Sequence, residues 1–393
     1  MDWIVCQIGA REHYAVACAL HTRGSLRLLV TDAWVPRWRD HPGLQNAAVR
    51  AGNTGFLASR IGHKLLRRSG WDRIIEDNRR FQVMALRHLE RVQDASAETM
   101  LFAYSYAAKD LLAYARSRGW TTVLGQIDPG PEEERIVASL SAQNPQWSQG
   151  WTPAPPSYWA DWRSETERAD FIVVNSAWSR QCLLQEGIPE KKLRIIPLAY
   201  EPDSAGNAKC AMRNAKLHPT NQEPETRNPK LFQVLFLGQA NVRKGIHDLA
   251  ATARLLEGKP VRFNVVGPHP PLPRDLPANM RFLGPVPRSQ AAGWYAGADL
   301  FVLPTHSDGF ALTQLESMAH GLPVLATPCC GQVVEDGKNG WLLPPGQPEL
   351  WAARIMEIAS NPALLASYSQ AALRRAGEFS MHALLQQLKA IAS

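Results

Sequence analysis

Short apolar runs recur along the chain, each closed by turn residues and separated from the next by a longer stretch with helical spacing of its apolar positions. In the first half these runs are WIVCQI (3–8), LRLLVT (26–31), MLFAY (100–104), TTVLGQ (121–126), FIVVN (171–175) and LRIIP (193–197). They are continuously apolar rather than alternating, as expected of strands covered on both faces, which predicts a parallel sheet with helices between its strands. From residue 201 to 230 the sequence is polar, contains prolines and has almost no large apolar residue, and it reads as a linker or mobile loop. The pattern then resumes with LFQVLFLG (231–238), VRFNVVG (261–267), MRFLG (280–284), DLFVLP (299–304), PVLAT (323–327) and GWLLP (340–344). Right-handed β-α-β crossovers in both halves predict two doubly wound α/β sheets, over 1–200 and 231–375, with ligands bound in the cleft at the carboxyl ends of their strands.

Composition narrows the setting. A chain of 393 residues exceeds what one core usually fills, so two domains are expected. Its 45% apolar and 20% charged residues are ordinary for a globular protein. No apolar run approaches the ~18 residues of a membrane span. At the N-terminus, Asp2 and the Arg11-Glu12-His13 interruption do not fit a signal peptide. The six cysteines are scattered without a C-x-x-C pair, which favours a reduced cytosolic setting over a disulfide framework or a zinc site. The net charge of +7 favours an anionic partner in general terms: nucleotide, phospholipid surface or nucleic acid. No nucleic-acid motif accompanies that charge.

Two stretches of the second half carry candidate chemistry. In PTHSDGFALTQLESMAHGLPVLATPCCGQ (304–332), Leu312, Leu315 and Ala319 share a helical face, Gly321 stops the helix and Pro323 opens the next strand. Gly309, Phe310, Ala311 and Leu312 therefore stand at or near a helix N-terminus, where unpaired N–H groups and the dipole suit a phosphate. Glu316, about one turn further in, can accept two hydrogen bonds from a ribose diol, and Asp308 can accept from sugar hydroxyls. In LFLGQANVRKGIHDL (235–249), Arg243 and Lys244 introduce a helix after a strand and a short loop. Two cations there can clamp a diphosphate and, if it is a leaving group, stabilise its charge as the bond breaks.

These segments, with VVGPHP and VEDGKNGWLLPPG, resemble the donor half of family-four retaining glycosyltransferases of the GT-B fold, over roughly residues 231–375. The resemblance implies two facing Rossmann-like domains with an interdomain cleft and a C-terminal helix (376–393) that returns to the first domain. It implies sugar transfer from a nucleoside-diphosphate sugar to an unidentified acceptor with retention at the anomeric carbon. It implies no cofactor beyond the donor and no metal, and the chain has no D-x-D pair. An acidic pair with seven residues between binds the donor in that family: Glu316 falls at the ribose position, and Asp308 at the sugar position, where the family usually has Glu. Gln239 stands where the family often has an arginine, a role left to Arg243.

The first half is less explicit. Gly9 separates a strand from a helix, as in acceptor-side loops of such enzymes, and Arg11, His13 and Tyr14 follow it, either to line the cleft or as surface residues of the helix start. Where many family members carry a catalytic-site histidine, LGQIDPGPEEE offers Asp128, with a positioning or base role or simply an Asp-Pro-Gly turn. Ten of the thirteen tryptophans lie in this half, Trp38 among them, and four fall in QWSQGWTPAPPSYWADW, for packing, for stacking on an acceptor sugar or for a lipid interface. The basic, amphipathic residues 60–91 read as a core-facing helix pair with a solvated basic side, or as a peripheral contact with the anionic inner face of a membrane. A nucleotide-sugar epimerase or phosphorylase of the same fold, and a catalytically degenerate nucleotide-sugar binding protein, stay open as alternatives.

Overall fold

The computed structural model describes residues 1–35, 42–65, 69–93, 98–201 and 231–391. The expected linker, from residue 202 on, and Trp38 and Cys210 lie outside the described residues. The apolar runs of the first half form strands β1 (Asp2–Gln7), β2 (Leu26–Thr31), β4 (Thr99–Tyr104), β5 (Thr121–Gln126), β6 (Phe171–Val174) and β7 (Leu193–Ile195). One strand has no such run: β3 (Val49–Ala51), a three-residue edge piece with Arg50 exposed, is too short to carry a pattern. Helices α1 (Ala15–His21), α2 (Asn53–Leu65), α3 (Gly70–Leu89), α4 (Lys109–Ser117), α5 (Pro131–Gln143), α6 (Pro156–Arg168) and α7 (Ala177–Gln185) connect them.

The second half adds β8 (Phe232–Leu237), β9 (Val261–Val266), β10 (Met280–Phe282), β11 (Leu300–Leu303), β12 (Val324–Ala326) and β13 (Gly340–Leu342). Its helices are α8 (Ile246–Leu255), α9 (Arg288–Gly297), α10 (Leu312–Ala319), α11 (Pro348–Ala359), α12 (Pro362–Gly377) and α13 (Met381–Ala390).

Both sheets are parallel, in the orders β3-β2-β1-β4-β5-β6-β7 and β10-β9-β8-β11-β12-β13. The direction of winding reverses between β1 and β4 and again between β8 and β11, so the loops after β1 and β8 open at the switch points where such sheets bind ligands. Two apolar clusters cover the faces of each sheet. They are not confined to their own half of the sequence. Val137, Leu140 and Trp147 of the first half pack into a second-sheet cluster around Ala240 and Val242. In the opposite direction, Leu384, Leu385 and Leu388 of α13 join a first-sheet cluster with α1. Each such leucine, fully buried, contributes about 1.5–3 kcal/mol, so the last helix is part of the first core.

Helix α3 turns Phe81, Gln82, Ala85 and Leu89 inward and leaves Arg73, Arg79, Arg80 and Arg87 exposed. Among the described residues no helix is long and apolar enough to cross a membrane.

Candidate active site

The site is built where the loops after β8 and β11 meet those after β1 and β5. After β8 the backbone makes a 3-10 turn at Val242–Lys244, capped by the Asn241 side chain on the Lys244 N–H, and enters α8 through Gly245. Gly245 has φ +70°, and a Cβ there would lie 1.9 Å from the Pro304 carbonyl oxygen. Only glycine lets the turn press this close to the end of β11. The contact is completed by the Thr305 hydroxyl and the His306 N–H, which donate to the Arg243 carbonyl at 3.1 and 2.9 Å. Arg243 and Lys244 are thereby fixed beside Ser307 and Asp308.

Asp308 is buried and fully engaged. Its Oδ1 accepts the Ala311 N–H at 3.0 Å and the Phe310 N–H at 3.3 Å, while Oδ2 faces the Lys244 ammonium and lies 3.4 Å from Arg243 Nη1. Burial and the adjacent guanidinium push Lys244 down to about 7. This arrangement corrects the reading of the helix start: two of the amides assigned to a phosphate, those of Phe310 and Ala311, are already paired with Asp308. The Phe310 ring is 2% exposed and packs on Phe379, so it belongs to the core rather than the cleft. Ala311 takes φ +61° before α10 starts at Leu312. A diphosphate arriving here would compete with Asp308 for the two cations.

Glu316 lies one turn into α10. Its Oε2 accepts the Tyr295 hydroxyl of α9 at 2.9 Å, which fixes the carboxylate, and its Oε1 stands 3.7 Å from His13 Nε2. The other ring nitrogen of His13 contacts Arg288. His13 thus bridges the halves of the molecule. It can do so because residues 12 to 14 all adopt left-handed φ values of 50°, 57° and 61°, an uncommon run that turns successive side chains outward from one another. Gly9, at φ +67°, donates its N–H to Asp32 at 2.8 Å and starts that turn. The same turn corrects the expectation for Tyr14, which points into the first core, 2% exposed and edge-on to Trp34. Arg11 is half-buried, and its charge is felt at Tyr104 and Tyr158. Glu12 accepts from Tyr104 at 2.8 Å and Asn175 at 3.4 Å, and burial pushes its carboxyl up.

Asp128 follows β5. Its Oδ1 accepts from Tyr106 (2.5 Å), Gln126 (3.1 Å) and the Gly130 N–H (2.9 Å). Tyr106 itself has φ +75°, and its turn is held by Glu165, which takes the Tyr106, Ala108 and Lys109 N–H groups and so caps α4 from the neighbouring α6. The Asp128 loop touches the Asp308 loop directly: a Cβ on Gly309 would lie 2.0 Å from the Ile127 carbonyl oxygen. Nearby, Trp178 Nε1 donates to the Ser307 hydroxyl at 3.2 Å and Ser179 to the Gly309 carbonyl at 3.4 Å.

Several residues of this constellation are not apparent from the sequence. Glu133, in the first turn of α5, accepts from Ser307 at 3.0 Å and pairs with Arg243 at 3.4 Å, across the two halves. Burial pushes its carboxyl up to about 6, against the lowering pull of Arg243. Its only signal was the Glu132-Glu133-Glu134 run, which a helix N-terminus explains without a ligand. Tyr295 and Arg288 sit on α9, outside every quoted motif, and Gln239 is exposed.

For a metal, the described residues offer His247, Asp248 and His306, whose ligand atoms lie within 4.8 Å of one another beneath the Arg243 turn. Asp248 already takes His306 Nε2 at 2.6 Å and the Gly346 N–H at 3.0 Å, so the trio has a structural role as it stands.

Known glycosyltransferases resemble the chain in sequence and in fold. Residues 232–361 match the family model described as Glycosyl transferases group 1. A D-inositol 3-phosphate glycosyltransferase from Thermobispora bispora is 37% identical over 127 residues, 30% of each chain. Another from Kineococcus radiotolerans is 28% identical over 295 residues, 66% of this chain and 65% of that one. The chain thus spans less than two thirds of the length of these curated relatives. The crystal structure of Anabaena Alr3699/HepE in complex with UDP-glucose superposes over 100% of this chain and 99% of that one, with a TM-score of 0.65 and 15% identity. The fold is GT-B.

Proposed function

From a group 1 glycosyltransferase domain at residues 232–361 set in a GT-B frame, we propose that the protein transfers a sugar from a nucleoside-diphosphate sugar to an acceptor, retaining the anomeric configuration and using no metal or added cofactor. The observation that carries this reading is the grouping of Glu316, Arg243 and Lys244 at one switch point, opposite His13 and Asp128 of the other sheet. Glu316, held by Tyr295, binds the ribose diol. Arg243 and Lys244 take the diphosphate from their carboxylate partners, with the Leu312 end of α10 adding its dipole. As the glycosidic bond breaks, negative charge grows on the diphosphate, and the two cations, exchanged from their carboxylates onto it, stabilise that charge. The acceptor hydroxyl attacks from the face the diphosphate leaves, so the departing phosphate oxygen is the group able to take its proton. Asp308 holds the cations and the 310–311 amides in register. Asp128, in the loop that meets the Gly309 backbone, positions the incoming hydroxyl.

The Anabaena relative of this fold is seen with UDP-glucose, which makes UDP-sugars the first donors to try. Wild-type protein is expected to show raised thermal stability with UDP or a UDP-sugar, at ~2.7 kcal/mol when the ligand is at one hundred times its Kd. Glu316→Ala should abolish that shift. Full wild-type affinity in the variant would defeat the ribose assignment, and slow UDP release in the presence of every acceptor would favour a binding protein. The exposed arginines of α3 support contact with anionic bilayers, and absence of sedimentation with anionic vesicles at low salt would remove that part.

A further inference from the structure

A cavity of about 400 Å³ opens beside Asp128 and Arg243, lined by both halves of the molecule. On the first-half side its wall is aromatic. Tyr158 stacks on Tyr106 with centroids 4.9 Å apart at 14°, Trp71 leans on Tyr158 at 4.9 Å, and Trp159 stands edge-on at 5.3 Å. The rings are locked by their polar ends: Trp71 Nε1 donates to the Thr152 carbonyl at 3.0 Å and Trp159 Nε1 to Glu134 at 2.6 Å. Trp151, which also lines the cavity, is 36% exposed.

The polar groups are mostly acceptors. Asp128, Glu133 and Glu134 line the cavity and Arg243 is its lining cation. Glu134 is committed to Trp159 and to the Ala154 N–H. The hydrogen bonds of Asp128 and the contacts of Glu133 use one oxygen each, Oδ1 and Oε2, so among the described residues Asp128 Oδ2 and Glu133 Oε1 make none. Fixed ring faces with carboxylate oxygens beside them suit a molecule with one apolar face and hydroxyl donors on its edge. A pyranose has that form, its axial C–H groups meeting the ring face. A phosphorylated acceptor is disfavoured, since three carboxylates outnumber the cation.

We propose that this cavity is the acceptor subsite and that the acceptor is an uncharged saccharide, stacked on Tyr158, Trp71 and Trp151 with its hydroxyls read by Asp128 and Glu133. The proposal rests on the glycosyltransferase reading above and adds the acceptor class. It contrasts with the larger cavity, about 650 Å³, against α3, where Arg73, Arg79, Arg80 and Arg87 line the wall together with Asp32, Glu76 and Asp77.

The test is saturation-transfer difference NMR of methyl glycosides of glucose, galactose, mannose and N-acetylglucosamine, and of the corresponding sugar 6-phosphates, with the full chain and saturating UDP. At least one methyl glycoside should bind, with saturation strongest on the C–H protons of one ring face. Trp151→Ala, at an exposed position, should weaken that binding at least tenfold and leave UDP affinity within twofold. Binding of no uncharged glycoside, preferential binding of the 6-phosphates, or unchanged glycoside binding in Trp151→Ala would each overturn the proposal. Failure of the wild-type protein to bind UDP or any other nucleoside diphosphate would instead strike the donor reading.

Discussion

The two walls of the cleft are made in opposite ways. On the second-half wall, the groups proposed to meet the donor come from two short continuous stretches, 241–245 and 305–316, and are cross-braced by charge: Lys244 to Asp308, Arg243 to Asp308 and Glu133. On the first-half wall, Trp71, Tyr106, Asp128, Glu133 and Tyr158 come from α3, the loops after β4 and β5, α5 and α6, and are held mainly by ring packing. A nucleoside diphosphate presents the same chemistry whatever sugar it carries, so a compact charged motif can serve it. The acceptor face must vary with its ligand, and spreading it over several loops and helices allows that.

The difference is broken most severely by removing a cation. Arg243→Ala is expected to lower kcat by about 10²–10³, or ~3–4 kcal/mol, the usual cost of losing one charge-stabilising contact. Steady-state assays with saturating donor check this, and a loss confined to acceptor KM would place Arg243 on the wrong wall. Next is Gly309→Ala. Its methyl group would meet the Ile127 carbonyl oxygen, and as both are backbone, no rotamer change relieves the overlap. The two loops must part, and an ångström of misplacement is worth roughly 10²-fold in rate. UDP affinity should change little; a variant with wild-type turnover would show that loop contact is not needed for transfer.

The smallest expected effect lies on Glu133, which belongs to the first wall but neutralises the second. With its carboxyl pushed up to about 6, it is ionised at pH 7.5 and largely protonated at pH 5.5. Protonation releases Arg243 toward the diphosphate, so the ratio of wild-type to Glu133→Gln Kd for UDP should fall about threefold between those pH values. Titration of UDP itself is common to both proteins and cancels in the ratio. A constant ratio would separate Glu133 from the clamp. For folding the sign is the same: the contribution of this raised carboxyl is full below the ordinary carboxylate range and is lost as pH rises through about 6.

The contrast also explains what could be read in advance. Strands with continuous apolar runs were legible because burial on both faces dictates composition, whereas β3, with three residues and an exposed arginine, obeys no such rule. The positions of Arg243 and Lys244 at the turn before α8, and of Glu316 one turn into α10, were legible because local turn and helix geometry sets them. Tyr14 faces the core rather than the cleft because three successive left-handed residues reorient the chain before α1, a turn that the apolar pattern does not encode. Phe310 was misassigned because pairing of its N–H with Asp308 depends on a side-chain orientation that spacing does not encode. Asp128 was visible as a candidate, but the rings around it lie tens of residues apart in sequence, and only the tertiary fold makes them one surface.

Helix α13 has a consequence for biogenesis. Leu384, Leu385 and Leu388 complete a core whose other members are drawn mostly from the first 200 residues. A nascent chain therefore cannot finish its first domain until α13 has emerged from the ribosome, and the apolar patch that this helix covers stays open until then.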